Sequence, residues 1–319
     1  MGLPSELTIA TRGSRLAVLQ SEIVEARLKQ HLPNLVVRLE IVTTTGDRDA
    51  RPFASIGSKG LFMGEVERAV KEGRADVAVH SAKDLTAQLA PGCAIVCIPE
   101  RGPAWDVVLG ASGRTGEERL GSLPPGSTVG TSSMRRRTLL FEARPDVTAV
   151  QFRGNLDTRL RKVAEGGVDA AVVAAAGVVR LGQGDFSPLD PERWVPAPGQ
   201  GALAVEALSE RQDLLELFEG LDDAAAHAEV ACERAFSERL EGGCSVPLGC
   251  HAVVRGTELV VTGYLGSPFG GDAFRDRISG PVKEAAGLGA ELADAILRAG
   301  GDEVLAEVRA STTPEVPAP

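Results

Sequence analysis

The stretch Asp76-Val77-Ala78-Val79-His80-Ser81-Ala82-Lys83-Asp84 decides the fold. Its first five residues make a short, nearly continuous apolar run of the kind buried on both faces in a parallel sheet. A polar segment bearing both charges follows at once. Upstream, residues 61–72 have helical spacing through Leu61, Val66, Ala69 and Val70, residues 36–43 alternate as a strand, 16–29 read as a helix and 7–10 as the first strand. Strands joined by helical crossovers imply an α/β layer architecture. Downstream, a second unit starts near Pro103 and repeats the pattern, with strands at 127–130, 147–152 and 168–174 and helices through Arg144 and over 156–165. Pro188, Pro191, Pro196 and Pro198 punctuate its exit, and Gly199-Gln200-Gly201-Ala202 leads into a strand at 203–206. The last third differs. A helix over 224–240 precedes antiparallel strands at 252–255, 258–265 and 274–278 and a terminal helix at 284–299. The expected units are 1–103 with 200–221, then 104–199, then an α+β unit over 222–312, with 313–319 a disordered tail. No internal repeat is strong enough to read.

A chain of 319 residues suits about two or three domains. Its apolar fraction of 43% and charged fraction of 24% are those of a soluble globular protein. A net charge of −10 argues against a nucleic-acid binder, which needs a basic field to recruit phosphates. Arginines far outnumber lysines, and arginine is the better side chain for two-pronged recognition of carboxylate or phosphate. The N-terminus lacks the pattern of a signal peptide. The longest apolar run, residues 170–179, falls far short of the roughly 20 residues that span a bilayer. Five cysteines, at 93, 97, 232, 244 and 250, are an odd number in a chain that needs no staples. The expectation is a cytoplasmic protein with reduced thiols and no membrane partner.

Several loops that follow strands carry one kind of chemistry. They are Thr11-Arg12-Gly13-Ser14, Ser81-Ala82-Lys83-Asp84, Thr131-Ser132-Ser133-Met134-Arg135-Arg136 and Arg153-Gly154-Asn155. Open α/β sheets bind ligands beyond the carboxyl ends of their strands, where helix N-termini offer free N–H groups to anions. Taken singly, a Ser pair before a helix is an ordinary cap and an arginine run an ordinary surface. Four basic loops at strand ends together describe an anion-seeking cleft in an acidic protein. Asp84 is the acidic exception; Lys83 favours its charged form and burial opposes it. In Leu240-Glu241-Gly242-Gly243-Cys244-Ser245-Val246-Pro247 two glycines leave the thiol sterically open and Pro247 stiffens the exit. Cys93 and Cys97 read as core. Cys244 with Cys250-His251 lacks the spacing of a zinc site, so no metal is expected, and no Gly-x-Gly-x-x-Gly supports a dinucleotide.

In this order and number the segments resemble the hydroxymethylbilane synthase (porphobilinogen deaminase) family. The matching stretches are Ile9-Ala10-Thr11-Arg12, Lys59-Gly60-Leu61-Phe62, Val79-His80-Ser81 with Lys83-Asp84, and Gly130-Thr131-Ser132-Ser133 with Arg135-Arg136. Further on come Arg153-Gly154-Asn155, Thr158-Arg159-Leu160, Gly199-Gln200-Gly201-Ala202 and the Cys244 turn. The resemblance implies two α/β domains like those of type II periplasmic binding proteins plus a smaller C-terminal α+β domain. It implies head-to-tail condensation of porphobilinogen with loss of ammonia, on a dipyrromethane cofactor held by a thioether to Cys244, in a monomer. Asp84 would be catalytic. Thr131, Ser132, Ser133, Lys83, Arg135 and Arg136 would join Asp84 and Cys244 in holding the cofactor. Arg12, Ser14, Lys59, Phe62, Ser81, Arg153, Gly154, Asn155, Arg159, Arg180 and Gln200 would meet the substrate. The chain departs from the family's habit at Ala82, Thr86 and Val179, the last costing one basic contact. Crossings near Pro103 and Gly199 suggest a hinge, working with a loop around 48–59. An anionic-solute binder of like architecture would explain the arginines but not Asp84, the Cys244 turn or the last third. A phosphate- or nucleotide-handling enzyme lacks its lysine motif and its acidic metal cluster.

Overall fold

Leu7 and Ile9 of strand β1 (Glu6–Arg12) point into one helical layer with Val24, Leu28, Leu214 and Phe218, while Ala10 points into another with Val66, Ala69 and Val70. The first sheet is thus covered on both faces. That is why β3 (Val77–Ser81) is apolar at successive positions, Val77 and Val79 serving one layer and Ala78 the other. The structure, a computed structural model, describes residues 3–43, 64–86, 88–243, 246–268 and 270–312. With β2 (Val36–Val42), β4 (Cys93–Cys97) and β10 (Leu203–Leu208), the first sheet has the order β2-β1-β3-β10-β4. Strand β1 runs parallel to β2 and β3, whereas β10 is antiparallel to both its neighbours.

The second sheet contains β5 (Asp106–Gly110), β6 (Thr128–Gly130), β7 (Thr148–Val150), β8 (Ala170–Ala174) and β9 (Ser187–Pro188), in the order β7-β6-β8-β5-β9. It repeats the first: a parallel trio with its earliest strand in the middle, then an antiparallel strand, then an edge strand. In each sheet the antiparallel strand arrives by a crossing from the other unit, β5 after the first and β10 after the second. Here are the two α/β units that the resemblance implies. The sequence shows no repeat because only the strand plan is shared, not the side chains.

The third unit sets helices over Ala224–Arg239, Ala285–Ile296 and Asp302–Thr312 against an antiparallel sheet of β11 (Leu248–Arg255), β12 (Glu258–Gly266) and β13 (Ala273–Pro281). Its core gathers Phe236, Leu240, Leu259, Val261, Leu265, Leu292 and Ile296. Full burial of each such side chain contributes about 1.5–3 kcal/mol. Strand β11 starts four residues earlier than its alternating pattern suggests, and the terminal helix is two, broken at Gly300, where φ is +115°. The sequence reading also passes over β5 and β9 and treats β4 only as an apolar core stretch. These are short strands; β5 opens on a buried aspartate and β9 has two residues.

The two crossings between the α/β units touch. The Gly102 N–H donates to the Gly201 carbonyl at 3.2 Å, and Arg101 Nε donates to the Gln200 carbonyl at 3.0 Å. Gly201, with φ +89°, lies so close that a Cβ would stand 2.5 Å from the Gly102 oxygen. Gly199, with φ +72°, would put a Cβ 2.8 Å from the Ala82 carbonyl carbon and 2.9 Å from the Lys83 nitrogen. Only glycine permits both the left-handed backbone and the approach.

Candidate active site

The approach of Gly199 presses one crossing against the turn that bears Lys83 and Asp84. The turn is a single 3₁₀ turn, Ala82–Asp84, capping β3. Its Ala82 N–H donates to the Ala202 carbonyl at 3.0 Å, so it takes its pose from the strand that enters from the second unit. Ala82 is buried with Ile98, Ala202, Ala204, Ala226 and Val230; Asp84 beyond it is exposed. Next to β3, Ser14 caps the helix Arg15–His31 by accepting from the Ala17 N–H at 3.3 Å. Gln20 of that helix donates to Ser81 Oγ at 2.9 Å. Arg12 ends β1 on the same rim, half-buried.

Across the cleft, Ser133 caps the helix Met134–Ala143 and accepts from the Arg136 N–H at 3.4 Å, while buried Thr131 accepts from the Ser133 N–H at 3.2 Å. Ser132 works as a staple, its hydroxyl donating to the Phe152 carbonyl and accepting from the Phe152 N–H. Asn155 caps the helix Leu156–Ala164, accepting from the Thr158 N–H at 3.0 Å. Gly154, with φ +112°, lets Arg159 Nε reach its carbonyl at 3.0 Å. Arg153 donates to Gln151 at 3.3 Å. An Arg15–Asp157 pair at 3.0 Å joins the two rims.

Four of the expected residues share one electrostatic neighbourhood. Burial pushes the Lys83 ammonium down to about 8, with Asp84 opposing the shift and Arg136 adding to it. Arg159 is pushed down to about 10 by burial, then by Arg136, with Asp84 opposing. Lys83 and Arg159 therefore both feel Asp84 and Arg136 across the units. The fall at Lys83 reflects a cation already crowded by guanidiniums and short of water, a site that gains by accepting an anion.

Asp106 organises the arginine pair, and the sequence reading missed it. It is fully buried and accepts from Arg135 Nη1 at 2.9 Å and from Arg136 Nη2 at 2.8 Å. Burial alone would raise its pKa, but the two guanidiniums overcome that and hold the carboxyl well below the usual carboxylate range. Gln200, expected at the substrate, is instead fully buried. Its amide donates to the Ala104 carbonyl at 2.6 Å and to Asp106 at 2.9 Å, and its oxygen accepts from Arg136 at 3.3 Å. Those bonds tie the crossing to the arginines. Arg180 similarly gives one nitrogen to the Gly201 carbonyl at 2.7 Å, and burial, then Arg27, pushes it down to about 10. Val179 beside it is exposed. The one available signal for Asp106 was an acid heading the apolar run Val107-Val108-Leu109.

Two further residues lacked any signal. Glu233, fully buried on the helix Ala224–Arg239, accepts from Arg101 at 2.8 Å, from the Gly199 N–H at 2.6 Å and, through its other oxygen, from the Ala252 N–H at 2.9 Å. Glu229, one turn earlier, takes the second nitrogen of Arg101 at 3.2 Å. The helix leading toward the Cys244 turn thus grips both crossings and β11 at once. Cys244, Lys59, Phe62 and the loop around 48–59 lie outside the described residues, as does the tail 313–319. The other thiols are held protonated. Burial raises Cys93 to about 11 and Cys232 to about 12, and Cys97 and Cys250 further still. No described helix is long and apolar enough to cross a membrane.

Comparison with known proteins gives this arrangement a context. Residues 7–216 match the family described as "Porphobilinogen deaminase, dipyromethane cofactor binding domain", and residues 227–298 match "Porphobilinogen deaminase, C-terminal domain". A porphobilinogen deaminase of Roseiflexus castenholzii is 45% identical over 95% of this chain and 99% of its own length. One from Roseiflexus sp. is 45% identical over 94% of this chain and 98% of its own, and one from Pelobacter propionicus 41% over 96% and 98%.

Proposed function

The chain belongs to the porphobilinogen deaminase family, and from that premise we propose that Asp84 is its proton-handling group, that Cys244 anchors its cofactor through a thioether, and that the basic strand ends clamp the growing chain. The reaction is the stepwise head-to-tail condensation of four porphobilinogen molecules with release of ammonia, then hydrolysis to hydroxymethylbilane, a transferase step of tetrapyrrole biosynthesis. The observation that carries the site reading is the shared neighbourhood of Lys83, Asp84, Arg136 and Arg159.

The residues present fit a dipyrromethane. Its pyrroles bear acetate and propionate groups, and the cleft offers cations with donors unspent: the buried Arg135 Nε has no hydrogen-bond partner. Lys83, Arg135, Arg136, Ser133, Thr131 and Cys244 would hold the cofactor, and Arg135 and Arg136 would also meet carboxylates of the pyrroles added to it. When bound, it supplies the free pyrrole α-carbon to which the first substrate is joined. Arg12, Arg153 and Arg159 would take substrate carboxylates by charge-assisted hydrogen bonds, aided by Ser14 and Ser81. Ser132 and Asn155 act one step back, shaping the loops. Departure of ammonia from porphobilinogen leaves a cationic carbon, and an ionised Asp84 beside it would stabilise that charge and the pyrrole N–H while protons move. Holding both partners in one cleft removes much of the entropic barrier. Cys244 needs its thiolate only once, at attachment. The raised thiols at 93, 97, 232 and 250 suit core roles and not that one. The working unit is read as a single chain in the cytoplasm.

Intact mass with peptide mapping tests the whole reading. Expected is an added mass of two linked pyrrole units on the Cys244 peptide, together with porphobilinogen consumption that needs no added nucleotide. An unmodified peptide that stays unmodified after incubation with porphobilinogen would refute the anchor.

Lys83 makes the site pH-dependent. Carboxylate recognition needs the ammonium, so the affinity of the cofactor-free chain for a pyrrole carboxylate should fall as pH rises through about 8. In Lys83→Arg that fall should move upward beyond reach. Stability runs the other way. Between about 8 and the ordinary 10.5 the unfolded chain binds more protons at this lysine than the folded one, so its contribution to stability rises with pH across that window. An alkaline limb identical in enzyme and variant would assign it to another group.

A further inference from the structure

The helix Met134–Ala143 begins with the arginine pair, and its other end is gripped by the third unit through the chain's one tyrosine. Tyr264 on β12 is fully buried, packed with Leu139, Leu140, Trp194 and Val195 of the second unit. Its phenol oxygen lies 2.9 Å from Thr138 Oγ1 and hydrogen-bonds the Glu142 carboxylate. Arg275 of β13 stacks on the Tyr264 ring, 4.7 Å from its centroid, and donates to the second Glu142 oxygen at 2.6 Å. One phenol proton cannot serve two acceptors fully. The charged carboxylate is the stronger, so the proton belongs on the Glu142 side. Burial, with Glu142 next, raises the phenol's pKa well beyond its ordinary value, so the donor persists at any working pH.

With the phenol proton on Glu142, Thr138 supplies the proton of the other contact, its hydroxyl donating to the phenol oxygen at 2.9 Å, with the Arg135 carbonyl the alternative acceptor at the same distance. Residues 135, 138 and 142 fall at i, i+3 and i+7, hence on one face of the helix. A grip at 138 and 142 therefore fixes the rotation of the helix about its axis, and with it the aim of Arg135. That side chain already gives Nη1 to Asp106 and to the Val195 carbonyl at 2.8 Å and keeps Nε unpartnered. We propose that Tyr264 is a positioning residue for carboxylate recognition: from the third unit it sets the helix that aims Arg135 and Arg136 into the cleft. The assignment rests on the reading that the start of this helix receives pyrrole carboxylates.

The test uses the cofactor-loaded enzyme. Tyr264→Phe keeps the ring and removes the hydroxyl. KM for porphobilinogen should rise about threefold to tenfold, the worth of one net hydrogen bond, with kcat within about twofold. Thr138→Val should raise KM similarly and Thr138→Ser restore it, and the double variant Y264F/T138V should be no worse than the worse single, since both remove the same Thr138–Tyr264 hydrogen bond. An unchanged KM in folded, cofactor-loaded Y264F overturns the proposal. Should Y264F not accumulate folded, the Thr138 pair decides, equal KM in Val and Ser variants counting against the role. Arg135→Lys separates the two layers. A raised KM there with an unchanged one in Y264F removes only the positioning role; an unchanged KM in both removes the carboxylate reading beneath it.

Discussion

Asp84→Ala is expected to lower porphobilinogen turnover by about a hundredfold to ten-thousandfold, the range for loss of a positioned proton-transfer group. The side chain is exposed at the tip of a turn whose pose is set by Ala82 and Gly199. Removing it opens no cavity, so the thermal midpoint should move little, as for surface changes generally. The loss would belong to chemistry and not to folding. Asp84→Asn should lose nearly as much, because the amide keeps the shape but neither carries the negative charge nor accepts a proton. Electrostatic support explains the magnitude. Lys83 and Arg159 are both within reach of Asp84, so its removal leaves a cluster of cations facing a cationic intermediate. Initial rates of product formation, measured beside melting curves, would settle it; normal turnover in the folded alanine variant would remove Asp84 from the mechanism.

Cys244→Ala should be nearly inactive for a different reason. The variant should fold, since the three cores are built elsewhere, but its mass should lack the two linked pyrroles even after incubation with porphobilinogen. A serine there should do no better, because an alcohol does not ionise near neutral pH as a thiol does. The remaining cysteines cannot substitute. Each is pushed upward by burial and holds its proton. A holo-like mass in either variant would move the anchor to another residue. The Asp84 and Cys244 variants thus separate cleanly: the first should keep the cofactor mass and lose turnover, the second should lose both.

The basic loops were legible because each sits where a strand pattern ends, and strand ends are where open sheets place ligands. Arg153, Gly154 and Arg159 could be singled out this way, as could Lys83 and Asp84. Gln200 shows the limit of that logic. It occupies a conspicuous Gly-Gln-Gly segment, yet its amide is fully buried between Ala104, Asp106 and Arg136. A motif marks a place where the backbone is constrained, and the constraint seen here is contact between two crossings. Asp106 and Glu233 were invisible for the complementary reason: a buried acid in an apolar strand or a helix has no local pattern, only partners far away in the chain.

Periodicity, loop chemistry and motif order, all carried by near neighbours in the chain, were enough to determine the α/β class, the smaller third unit, the chemistry of the strand ends and the family. Tertiary structure alone decided which cations remain available. Asp106 accepts from Arg135 and Arg136 from about 30 residues away, Glu233 joins Arg101 across 132 residues, and Tyr264 meets Thr138 across 126. A buried charge is tolerable only where partners compensate its lost hydration, and those partners are chosen by the packing of whole units, which no window of sequence contains.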